Sequence, residues 1–83
     1  MGELETQHLD LVRINPSENM ARFYGIALQP TLFGEVAVVR CWGRIGTRGR
    51  ATAHTYADFS GAADAFADLA QKKRARGYVE DTN

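Results

Sequence analysis

The sequence predicts a small α+β domain, an antiparallel sheet of four or five strands with one C-terminal helix packed on one face. Three observations point there. The chain has 83 residues, 45% of them hydrophobic, and a chain of this size buries only about 60% of the surface it exposes when unfolded, enough for a single modest core. Four segments rich in Val, Ile, Tyr, Phe and Thr are separated by short Gly, Pro and Asn turns, the pattern of consecutive strands. After Phe59 the apolar spacing changes from that of a strand to that of a helix.

The strands are read as HLDLVRIN, RFYGIALQ, EVAVVRCWGRI and ATAHTYA. Asn15-Pro16-Ser17 breaks the first from the second, and Pro30-Thr31-Leu32-Phe33-Gly34 is short enough for a hairpin. Gly46-Thr47-Arg48-Gly49 is a second hairpin, with glycines able to take positive φ. Short successive connections imply antiparallel pairing. In the helix, Ala62, Ala63, Phe66, Leu69 and Ala70 form one apolar stripe, Ser60 is the expected N-cap, and Lys72, Lys73, Arg74 and Arg76 crowd the C-terminal end before Gly77. Residues 1–7 are expected to be a flexible N-terminal segment, 8–79 the domain and 80–83 a short tail.

Ten Lys and Arg balance ten Asp and Glu, and their distribution is uneven. Between Val36 and Ala57 lie Arg40, Arg44, Arg48 and Arg50 without an acid, and between Leu69 and Val79 lie Lys72, Lys73, Arg74 and Arg76, again without one. Only Arg13 and Arg22 lie outside these stretches. A neutral chain with two basic segments excludes a whole-surface polyanion binder but leaves room for a localised one. The single cysteine, Cys41, allows no internal disulfide, and with only His8 and His54 there is no zinc-ligand spacing. The start MGELETQHLD is acidic where a signal peptide is basic, and no apolar run approaches the roughly 18 residues of a membrane span. A reducing, cytoplasmic setting without membrane contact is expected.

Strand alternation sorts the stretch from Val36 to Arg50 into two sets. The small or aliphatic Ala37, Val39, Cys41, Gly43 and Ile45 suit the helix-covered face, so Arg40, Trp42 and Arg44 are expected to project together from the opposite one, unless a bulge at Gly43 breaks the parity. An indole flanked by guanidiniums can stack on a base or sugar while the arginines contact phosphate oxygens. Cation–π stacking within the cluster is the structural alternative. No Ser/His/Asp or Cys/His set can be assembled, and Asp58, Asp64 and Asp68 read as helix-start and surface acids. Neither catalysis, a cofactor, a metal nor a small-molecule substrate is expected.

The run RFYGIALQPTLFGEVAVVRCWGRIGTRGR resembles a WGR domain of the bacterial stand-alone kind. Trp42-Gly43-Arg44 is the eponymous tripeptide, followed by Ile45-Gly46. Asn19-Met20-Ala21-Arg22-Phe23-Tyr24 is similar to the family's entry strand, and the basic helix closing on Arg76-Gly77-Tyr78 is similar to its end. The resemblance spans residues 8 to 79 and implies an antiparallel sheet flanked by a helix, as in the WGR domains of poly(ADP-ribose) polymerases activated by DNA breaks. It implies Trp42 as the residue stacking on sugar or base near a DNA end and Arg44 as a phosphate or interdomain contact. Asn19 and Arg22 correspond to a polar Asn-Lys pair that is adjacent in the polymerases and separated by two residues in this chain. The 83 residues hold no ADP-ribosyltransferase segment, so that activity is not expected of them.

Two functions follow as expectations. One is a non-catalytic nucleic-acid-binding module, with DNA favoured and its ends or nicks as targets. It would use Trp42, Arg44, Arg40, Asn19, Arg22, Arg48, Arg50, Lys72, Lys73 and Arg76. The other is a protein-interaction or regulatory adaptor using the same Arg/Trp face, since both residue types also anchor protein interfaces.

Overall fold

The computed structural model describes residues 7–81. The segment expected to be flexible therefore lies, apart from Gln7, outside the described residues, as do positions 82 and 83 of the tail. The elements are β1 (Gln7–Asn15), a single 3-10 turn (Pro16–Glu18), β2 (Met20–Pro30), β3 (Val36–Arg44), β4 (Arg50–Tyr56), α1 (Phe59–Ala75) and β5 (Val79–Glu80). All pairings are antiparallel, and the sheet order is β4-β3-β2-β1-β5. The α+β class and the C-terminal helix are as the sequence predicts, and the sheet has five strands.

This order dictates the path of the helix. Four strands form a meander, so α1 begins at the β4 edge and must cross the sheet to deliver β5 beside β1 at the other edge. It starts after Tyr56, which pairs with Val36, and ends before Val79, which pairs with Val12. The crossing is thus diagonal, and it leaves a corner of the sheet beyond the helix end uncovered.

The helix begins two residues earlier than the Ser60 cap expected from sequence. Asp58 is the N-cap, extended at φ −149° and ψ 173°, and its carboxylate accepts from the Gly61 amide at 2.9 Å. Ser60 is already helical, so its hydroxyl cannot serve the first-turn amides in that way. At the other end, the Tyr78 amide donates to the Lys73 carbonyl at 3.1 Å and the Gly77 amide to the Arg74 carbonyl at 3.0 Å. This is a Schellman closure, with Gly77 in the left-handed region at φ +97°. It folds Tyr78 back beneath the helix, where the ring is buried.

The core lies between α1 and the sheet. Leu11, Ile26 and Leu28 are 0%, 1% and 2% exposed, and Tyr24, Val36, Val38, Ala62, Ala70 and Tyr78 complete the buried set. Burying one Leu or Ile side chain contributes about 1.5–3 kcal/mol. Alanines at positions 62 and 70 of the helix let it approach the sheet closely. The hairpin between β2 and β3 stands at the far end of the sheet, with Leu32 93% and Phe33 86% exposed at its tip.

Candidate nucleic-acid interface

The register sets out the helix-side face of the sheet as a series of cross-strand rows. Leu28 pairs with Val38 and Val38 with His54. One step along, Leu9, Ile26, Arg40 and Thr52 are aligned, then Leu11, Tyr24, Trp42 and Arg50, and finally Arg13, Arg22 and Arg44. The first two rows carry two aliphatic side chains each, the third only Leu11, and the last is all arginine. It lies at the corner the diagonal helix leaves bare.

Arg40, Trp42 and Arg44 do share one face, but it is the helix side, the reverse of the sequence expectation. Pairing of β2 with β3 is unbroken through Gly43, so no bulge intervenes. The reason is that β3 is apolar on both faces. The even positions Val36 and Val38 are buried beneath α1, while Ala37, Val39 and Cys41 line the outer face half-exposed. Alternation alone cannot orient such a strand; its alignment with buried Ile26 and Leu28 does.

Trp42 packs half-buried against the core, and Arg40 stands over its ring with Cζ 5.7 Å from the centroid, a cation–π contact. Beside it opens a recess of about 410 Å³ walled by Arg22, Phe23, Trp42, Arg44, Lys73 and Tyr78. No acid lines it. Lys73 Nζ lies 4.5 Å from the Tyr24 ring centroid and 5.3 Å from that of Tyr78, and the two rings meet edge-on at 6.3 Å.

Burial holds the Lys73 ammonium below its ordinary value of 10.5, and the positive charges of Arg76, Arg40 and Arg22 push it the same way. This electrostatic coupling joins the two basic segments in space: Arg40 comes from one, Lys73 and Arg76 from the other, and Arg22 from neither. An anion entering the recess would relieve repulsion that the folded chain itself does not neutralise.

The remaining sequence candidates are placed unevenly. Asn19, left-handed at φ +54°, holds the Arg44 guanidinium through its carbonyl oxygen at 3.1 Å and its Oδ1 at 3.3 Å, so it positions the arginine. Arg50 pairs opposite Trp42 on the exposed edge strand, and Arg48 is exposed in the β3–β4 turn outside the recess. Lys72 is exposed, does not line the recess and pairs with Asp68 at 3.1 Å. Sequence reasoning missed Arg13, Tyr24 and Tyr78. Folding the first hairpin about Pro16–Glu18 brings Arg13 opposite Arg22, a signal available in the spacing; the two tyrosines meet only through the helix closure.

Gly49, at φ +73°, closes the turn behind Trp42. A Cβ there would collide with the Trp42 carbonyl oxygen and lie 2.7 Å from Phe23 Cζ. A larger groove of about 630 Å³ lies on the other side of the helix, against Leu9, Phe66, Ala67 and Ala70, with Arg74 as its one Lys or Arg. Among the described residues no group of three or more His, Cys, Asp or Glu could hold a metal, and no helix is long and apolar enough to cross a membrane.

Comparison with known proteins agrees with the geometry. An uncharacterized protein of Sinorhizobium fredii, y4dW, is 46% identical over 66 residues, a match covering 80% of this chain and 32% of the relative, so the chain spans about a third of that protein's length. No solved structure matches. The family model for the WGR domain matches residues 7–83, which takes in the whole sheet, the bare arginine corner and the helix closure that walls it, and the chain belongs to the WGR domain family.

Proposed function

We infer that the protein is a non-catalytic nucleic-acid-binding module, with DNA as its ligand and a strand end or nick as the feature engaged. The observation that carries this reading is the convergence of Arg22, Arg44 and Lys73 on one acid-free recess beside Trp42. In it the indole stacks on a base or sugar and the cations meet phosphate oxygens. Arg40 and Arg76 supply field from the rim, and Asn19 fixes the fork of Arg44. Within duplex DNA a strand end or nick suits the site, because there an outer base face is open to an indole that is itself half-buried.

Trp42 is the chain's single tryptophan, so its fluorescence reports occupancy directly. The test is a salt titration of that signal with blunt, nicked and single-stranded DNA and with RNA. If about four cations contact phosphates, log K falls against log salt with a slope near −3.6 on duplex DNA. Nicked or end-bearing DNA should bind best. Salt-independent binding, or none at low ionic strength, overturns the reading. A partner captured through Trp42 after nuclease treatment would assign the face to a protein ligand.

A further inference from the structure

We propose that Arg13, Arg22 and Arg44 form a phosphate track that crosses three strands and holds consecutive phosphates of a single nucleic-acid strand leading away from Trp42. The proposal rests on the nucleic-acid reading and adds to it a binding residue, Arg13, and a direction. Arg13 pairs with Arg22 and Arg22 with Arg44 in one uninterrupted cross-strand row. Like charges placed directly opposite are destabilising in a sheet, and three in succession are tolerated best where an anion is meant to lie across them.

Each of the three is set differently. Arg44 is fixed by Asn19, Arg22 is exposed between its neighbours, and Arg13 lies against the helix closure. A Cβ on Gly77 would come within 3.1 Å of Arg13 Nε, so the glycine that ends the helix also makes room for this guanidinium. With strands about 4.8 Å apart, the row spans roughly 10 Å. Successive phosphates of one strand stand farther apart than neighbouring strands of a sheet, and the long arginine side chains splay to take up the difference, so the row matches a run of about three phosphates. Trp42 stands in the adjacent row next to Arg44, which puts the stacked residue at the β3 end of the track and the exit over β1.

The test measures Trp42 fluorescence against oligothymidylates of two to eight nucleotides, each at several salt concentrations. For the wild-type chain, affinity should climb with each phosphate to about three or four nucleotides and flatten beyond. Arg13→Gln should weaken binding of the longer oligomers several-fold at low salt and make the slope shallower by about 0.7. Arg13→Lys should restore the slope, and Arg74→Gln, an equal loss of charge beside the other groove, should leave it unchanged. A wild-type slope in Arg13→Gln, an equal loss in Arg74→Gln, or a length profile with no break near three phosphates overturns the track while leaving the module's function standing. Absence of any wild-type binding overturns the function and the track together. The length profile needs no variant, so it decides the matter even if Arg13→Gln fails to fold.

Discussion

The two ends of the helix-side face are built on the same strands and do opposite things. Toward the β2–β3 hairpin, Leu28 and Val38 lie side by side under α1, and nothing charged enters the row between β2 and β3. Toward the β3–β4 turn, the same two strands carry Arg22 opposite Arg44, both exposed, with only the C-terminal end of α1 reaching them through Lys73. The diagonal of α1 makes this division, covering one end and stopping short of the other. On the proposed function, stability and ligand contact are therefore separable along one pair of strands, with the row of Leu11, Tyr24 and Trp42 as the border.

The strongest way to break this separation is to empty the covered end. Ile26→Ala should cost about 2–5 kcal/mol, as large-to-small changes at fully buried sites do, measured by urea denaturation. Molecules that remain folded should bind DNA as before; a binding defect in them would show the two ends to be one unit. Trp42→Ala should weaken DNA binding by about 1–3 kcal/mol, seen by anisotropy of labelled DNA. Next, Gly49→Ala should destabilise by at least about 1–2 kcal/mol, the cost of a left-handed side chain before any clash is counted, whereas Gly46→Ala, with open space around it, should cost less.

Two smaller effects sharpen the border itself. Lys73 has a folded value lowered below 10.5, so its protonated form is disfavoured in the free protein. Its penalty on folding is present below that lowered value and is relieved as pH rises through it toward 10.5. A bound phosphate reverses the preference. Proton uptake should accompany binding over that alkaline interval, and affinity should fall with rising pH there, an effect that Lys73→Gln removes; calorimetry in buffers of different ionisation enthalpy reads it. The buried Tyr24 hydroxyl has no hydrogen-bond partner among the described residues. Tyr24→Phe should accordingly raise stability by about 1 kcal/mol and leave binding intact.

Much of the architecture can be read from residue order. The turn residues at Pro16, Gly34 and Gly46 mark the meander, and the change of period after Phe59 marks the helix. The basic helix end is legible too, because Lys72 through Arg76 stand together in the chain. What sequence did not yield is which way β3 faces. Its valines occur at both parities, and the decision belongs to register with Ile26 and Leu28 on another strand. The same gap hid the arginine row, whose members lie nine and 22 residues apart in sequence and meet only through β1–β2 and β2–β3 pairing. The N-cap shows the limit on a local scale. Asp58 and Ser60 are both good caps by composition, and the direction of the chain leaving Tyr56 selects between them.

The brief strand β5 has a consequence for how the domain can be joined to other polypeptide. It runs antiparallel to β1, with Val79 opposite Val12 and Glu80 opposite Leu11, and the Asp81 amide continues onto the Asp10 carbonyl at 3.0 Å. The described chain thus enters and leaves along the same margin of the sheet, both ends heading away from Arg13 and its row. Sequence fused before β1 or after β5 would emerge on the side opposite the arginine corner. A reporter or a second folded unit can be attached at either end, or the domain spliced into a host loop, with its recess still facing outward.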